Sequence, residues 1–155
     1  MGMDVFGKAP SRDEGEYFRA NVWWWRPLAA YCCFVAPDIS QNCTYWQSND
    51  GDGLDSDDAS KLADILQVMI TSGRCAAYIS ARQRQLDNLP PEPCRICDGT
   101  GLRRKVPEIG AGDRPCNGCH SSGKTKSPDC NYPMDVETVQ EFATFLRHCG
   151  GFRIC

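Results

Sequence analysis

Histidine is almost missing from this chain, with His120 and His148 the only two in 155 residues. The Gly-x-Ser-x-Gly elbow of serine hydrolases and the glycine fingerprint of dinucleotide-binding enzymes are both absent. His148 stands next to Cys149 in a helical stretch, so the two side chains point in different directions and make a poor base and nucleophile. These absences argue against an enzyme and against a small-molecule substrate. Long apolar runs are missing too: the longest, Leu28 to Ala36, has nine residues and is too short to cross a membrane. The first residues lack a basic stretch followed by an apolar one, so no secretory leader and no membrane association are expected, and the location expected is the cytoplasm. Charge of one sign is also lacking. Lys and Arg number 17 against 20 Asp and Glu, a formal charge of -3 that exerts no global attraction on nucleic acid.

Cysteine, by contrast, is abundant, at eleven residues. In a reducing compartment a clustered subset of such cysteines reads as metal ligands rather than disulfides. The stretch "PCRICDGTGLRR" begins at Pro93, and "PCNGCHSSGKTK" begins at Pro115. Cys94-x-x-Cys97 and Cys116-x-x-Cys119 are separated by eighteen residues, the spacing of a four-cysteine zinc site. Each pair makes a tight turn that aims two sulfurs at one point, and two such turns complete a tetrahedron. Four cysteines in so polar a segment are not core residues, and a redox pair would stand near a βαβ pattern, which is absent. A site with four thiolates has no open position for substrate, so one zinc ion with a structural role is expected. The segment from about 92 to 126 has few large apolar residues, so metal-binding energy is expected to fold it.

"CRICDGTG" fits the Cys-x-x-Cys-x-Gly-x-Gly repeat at Cys94, Cys97, Gly99 and Gly101, and so resembles the DnaJ-type zinc domain. "CNGCHSSG" keeps Cys116, Cys119 and Gly123 but has Ser121 in place of the first glycine. DnaJ chaperones carry four such repeats for two zinc ions, together with a J domain marked by His-Pro-Asp. This chain has two repeats and no His-Pro-Asp, so the resemblance implies a one-zinc module rather than a co-chaperone. "WWWRPL" and the "GMDV" opening resemble small phage and prophage proteins, a likeness that implies no particular activity.

The fold class expected is α+β: one domain over 1-155, small and helical with short terminal strands, and a zinc hairpin inserted at about 92-126. "GMDVFG" reads as a strand, and the terminal "FRIC" as a second strand pairing with it. From Tyr17 to Trp25, Phe18, Ala20, Val22 and Trp24 recur at period two and predict another strand. Pro27 suits the first turn of a short apolar helix that stops before Pro37. Asp55 or Ser56 caps a helix with a stripe of Leu62, Ile65 or Leu66, and Met69, ended by Gly73. A further helix stops at Pro90-Pro91, and Asp135 caps a last one with Val136, Val139, Ala143, Leu146 and Cys149 on one face.

Three other clusters invite a function. Three adjacent tryptophans cannot all point inward, so Trp23 and Trp25 with Arg26 are either a second packing layer or an aromatic contact surface for a partner. Asp50, Asp52, Asp55, Asp57 and Asp58 form an acidic turn leading into a helix cap, or an acidic contact surface for a basic partner protein. A calcium loop fails there, because its twelfth position is Ala59. Residues 94 to 126 carry seven cations against three carboxylates, a net of +4 that four zinc-bound thiolates reduce to about +2. Arg103, Arg104, Lys105, Lys124 and Lys126 are the candidate phosphate contacts there. The function expected is a non-enzymatic zinc-binding protein acting by protein-protein contact. With the phage resemblance the partner expected is a host protein, as in inhibition of a host defence or replication factor. The alternatives are nucleic-acid binding through the basic hairpin and a chaperone-like zinc module.

Overall fold

The computed structural model describes residues 2-155 and divides them into two compact units. One comprises the residues up to Arg82 together with Tyr132–Cys155, and the other is Gln83–Asn131. The second unit starts within a helix, earlier than the 92-126 segment expected from composition. The class is mixed α and β, as the sequence patterns predict.

In the first unit, strand β1 (Gly2–Gly7) lies between β2 (Tyr17–Asn21) and β7 (Phe152–Ile154), all antiparallel. Alternation sets the faces: Met3, Val5, Phe18, Ala20, Phe152 and Ile154 turn inward, while Asp4, Phe6 and Arg19 do not. Val5 pairs with Phe18 on one side and Ile154 on the other. The acidic loop then extends the sheet. Gly51 N donates to Ile154 O at 2.7 Å, Ile154 N to Asp52 O at 2.7 Å, and Phe152 N to Leu54 O at 2.9 Å. The free edge of β7 is thereby covered.

The strand expected over Tyr17 to Trp25 is half right. It ends at Asn21, whose side-chain oxygen accepts from Trp23 N at 3.0 Å and Trp24 N at 3.2 Å, and helix α1 (Val22–Val35) begins there. The period-two face competed with a helical one, Trp25, Leu28, Ala29 and Cys32, at positions i, i+3, i+4 and i+7, and the helical face is the one buried. Pro27 therefore lies inside the helix rather than at its start. It forfeits a hydrogen bond to the Trp23 carbonyl, a loss the burial of this face offsets.

After a single turn, α2 (Pro37–Ser40), come α3 (Ser56–Thr71) and α4 (Arg74–Asp87). Asp55 caps α3 by accepting from Asp58 N at 2.9 Å, and the buried stripe is Ala59, Leu62, Ala63 and Leu66. The final helix α5 (Val136–His148), capped by Asp135, packs against α3, with Gln67 and Gln140 bonded through their amides and Arg147 paired to Asp64 at 2.9 Å. Between these layers lies an aromatic core in which Trp25, Phe142, Phe145 and Phe152 meet, with Trp46 beside them. The indole of Trp25 is fully buried and donates to Trp46 O at 2.6 Å.

Replacing Asn21 by Ala should therefore cost about 1 kcal/mol, because two helix-start amides lose their acceptor. Trp25→Ala should cost about 3–5 kcal/mol through the cavity it opens. Urea denaturation followed by far-ultraviolet circular dichroism measures both.

Candidate metal centre

The second unit is built from the two cysteine repeats folded as near copies. Strand β3 (Glu92–Pro93) precedes the first turn and β4 (Leu102–Arg103) follows it, while β5 (Arg114–Pro115) and β6 (Lys124–Thr125) flank the second. β3 pairs with β6 and β4 with β5, so each repeat is laced to the other at both ends. The lacing is reciprocal: Cys94 N donates to Gly123 O at 2.8 Å, and Cys116 N to Gly101 O at 2.9 Å. Within each turn a hydroxyl two residues before the next strand bonds back to the second cysteine's carbonyl, Thr100 to Cys97 O at 2.7 Å and Ser122 to Cys119 O at 2.6 Å. These two hydroxyls were not singled out by sequence, although each stands three residues after the second cysteine of its pair.

Backbone angles repeat in the same way. Asp98 and His120 have φ of 51° and 50°, and Gly99 and Ser121 have 77° and 63°. Ser121 thus occupies a left-handed position that glycine holds in the first repeat. The last glycine of each repeat is required for a different reason, close approach. A Cβ on Gly101 would stand 2.4 Å from Ser121 O, and one on Gly123 would stand 2.2 Å from Gly99 O.

This frame brings Cys94, Cys97, Cys116 and Cys119 together, all buried, with their sulfurs within 4.8 Å of one another. The Cys94 and Cys116 sulfurs are 3.9 Å apart, and those of Cys97 and Cys119 are 3.7 Å apart. A disulfide needs about 2.05 Å. Sulfurs held about 2.3 Å from a central ion at tetrahedral angles stand about 3.8 Å apart, so the donor set fits a tetrahedral metal ion. Gly101 N and Gly123 N each donate to a sulfur at 3.3 Å, to Cys97 and Cys119 respectively, and these bonds stabilise thiolate charge. The thiols influence one another. Burial works against ionisation of Cys116, but the backbone N–H groups of Cys119 and Gly118 and the neighbouring thiols draw it down to about 7. Burial, joined by the other three thiols, pushes Cys119 up to about 11. Cys116 and Cys119 thus shift in opposite directions, and a bound cation would favour the thiolate form of both.

Other candidate residues fare unevenly. Arg103 is corrected: it is buried, with Nε bonded to Arg104 O at 3.2 Å, one terminal nitrogen to Asn117 Oδ1 at 2.7 Å and the other to Glu108 O at 3.2 Å. Three of its five N–H donors are spent on the hairpin, and burial keeps the side chain from acting as an open phosphate contact. Arg104, Lys105, Lys124 and Lys126 are exposed. Trp25 is corrected as a contact residue, because the cap at Asn21 turns it into the core. Trp23 remains 45% exposed and lies 5.0 Å from the ring of Tyr132, whose hydroxyl accepts from Arg26 at 2.9 Å. Among the aspartates, Asp52 accepts from Thr44 N at 2.7 Å, Tyr45 N at 2.8 Å and Gly53 N at 2.8 Å, and these bonds, Tyr45 foremost, hold its carboxyl below the usual range. Asp55 caps α3, and Asp58 accepts from Asn42 at 2.7 Å. Asp50 and Asp57 are exposed. The remaining buried thiols, Cys32, Cys43, Cys75 and Cys149, are all pushed upward by burial, which leaves them weak nucleophiles. No described helix is long and apolar enough to cross a membrane.

Comparisons with protein families, with curated proteins and with solved structures find no match to this chain. The candidate metal centre therefore stands on its own geometry.

Relieving the left-handed backbone at the second repeat should tighten metal binding. Ser121→Gly is expected to gain about 1 kcal/mol, near fivefold in affinity, and Gly123→Ala to abolish binding through the backbone clash. Competition with a chromophoric chelator reads out both.

Proposed function

We propose that this is a non-enzymatic zinc-binding protein that acts by contact with another protein, the zinc being structural. The observation carrying this reading is the closed cluster of four buried sulfurs at tetrahedral separations. Four soft thiolates in that geometry favour zinc, and they leave no position for a substrate. The DnaJ-type spacing supports the same ion. Contact is supported by the exposed Trp23 and Arg26 resting on the half-buried Tyr132, since aromatic and arginine side chains supply much of the binding energy at interfaces. The likeness of "WWWRPL" and "GMDV" to phage and prophage segments supports a host protein as partner and inhibition of a host defence or replication factor as the role. Nucleic-acid binding by the hairpin is the second reading, supported by the exposed Arg104, Lys105, Lys124 and Lys126.

Elemental analysis of the purified chain should find one zinc per molecule. Chelation should unfold Gln83–Asn131 and leave the aromatic core of the other unit intact, as read by amide chemical shifts in each. An apo chain that keeps the shifts of Gln83–Asn131 would count against a structural ion.

For the partner, tagged chain and a Trp23→Ala/Arg26→Ala variant are used as baits in host lysate with and without nuclease. A protein that survives nuclease and is lost about tenfold or more with the variant supports the contact reading. Capture that disappears with nuclease overturns it in favour of nucleic acid.

A further inference from the structure

We propose that the cavity in the second unit between the end of α4 and the segment Lys126–Asn131 binds the free carboxylate end of an aliphatic peptide. This names the partner chemistry for the protein-contact reading above and depends on the metal only through the frame it holds. The cavity has a volume of about 500 Å³, within the range of ligand pockets. Leu86, Leu89 and Pro91 provide an apolar wall, and Leu89 is 40% exposed there with no partner to cover it. Lys126 and Asp87 stand on the same cavity.

The charges decide what fits. Among the described residues Lys126 forms no ion pair, so its ammonium is available to an incoming anion. Asp87 receives Gln83 Nε2 on one oxygen at 2.8 Å, and among the described residues no side chain or amide donates to its other oxygen. A fatty acid offers an anion and an apolar tail but no donor. The last residue of a peptide offers all three within a few ångströms: a carboxylate for Lys126, a backbone N–H for Asp87 and an aliphatic side chain for Leu86 and Leu89. The Cys130 thiol, 3.7 Å from Leu86 O, ties the second wall to the helix end, and the cavity exists before any ligand arrives. Its position follows from the metal centre. Pro91 directly precedes β3 and Lys126 directly follows β6, whose register sets Glu92 against Thr125. The ladder that laces the cysteine repeats therefore also fixes the spacing of the cavity walls.

The test titrates the full chain, with its zinc content measured first, by calorimetry with three probes: N-acetyl-Leu-Leu as the free acid, the same peptide as its amide, and octanoate. The free acid should bind, and the amide about tenfold or more weakly, since one charge-assisted hydrogen bond is lost. Octanoate should also be weaker, for want of an N–H to Asp87. Lys126→Gln should erase the preference for the acid, and Leu89→Ser should weaken both peptides, each variant keeping the wild-type zinc content. Equal binding of acid and amide, octanoate binding as tight as the peptide, or no binding at millimolar probe would each overturn the assignment. A chain without zinc that still shows the Lys126-dependent preference would uphold it while overturning the zinc reading.

Discussion

Four sulfurs converging on one tetrahedron are the constraint on which the Gln83–Asn131 unit depends. Its only apolar cluster consists of the four cysteines and the partly buried Ile96, far too little to outweigh the chain entropy lost on folding. A structural zinc ion supplies about 10–16 kcal/mol in comparable small modules, enough to fold a segment that has no other core. The local features serve that convergence. Two adjacent left-handed residues in each repeat turn the chain back, a glycine N–H meets each second sulfur, and a hydroxyl closes each turn. The two short ladders are too small to be stable alone, but each begins or ends within a few residues of a ligand.

The other unit rests on a different source of stability. Its aromatic side chains fill the space between one sheet face and α3 and α5, and burial does there what a bound metal ion would do in the cysteine repeats. Even its acidic loop serves the fold. Asp52 fastens the chain at Thr44, Tyr45 and Gly53, and the backbone of Gly51–Leu54 completes the sheet along β7. Because the Asp52 carboxyl is depressed in the folded state, this fastening is present at neutral pH. It weakens only as acid drives the pH down through that lowered value.

Much of this was legible from residues. Caps at Asp55 and Asp135, stops at Gly73 and before Pro90, and the pairing of the two terminal strands all follow from local chemistry that no distant contact contradicts. The clustering of the four cysteines was legible because a tetrahedral site demands paired donors at short spacing. The segment from Val22 to Trp25 was not, since period two and period 3.6 both pass through it. The decision lay in Asn21, whose side chain can either sit on a strand or cap a helix, and burial of Trp25 selected the cap. Arg103 was misread for a related reason: charge composition gives a residue's sign, not the acceptors that surround it. In the folded hairpin, Asn117 and the carbonyls of Arg104 and Glu108 converge on its guanidinium.

The second repeat shows how far a spacing pattern can be trusted. Gly118 to Thr125 reads Gly-Cys-His-Ser-Ser-Gly-Lys-Thr, which also satisfies the pattern of a phosphate-binding loop. Such a loop works by leaving its backbone N–H groups free to face phosphate and by opening into a helix whose positive end adds to the field. Here Gly123 N is aimed at Cys119 Sγ, Ser121 N at Cys116 O and Ser122 N at Cys119 O. Lys124 opens a strand rather than a helix. Three amides that would cradle a phosphate are thus committed to a cysteine sulfur or to cysteine carbonyls, and Lys124 N donates to the Ser122 hydroxyl. Backbone donors are obligatory groups with one main partner each, so the two patterns exclude one another, and the sulfur geometry decides which is realised.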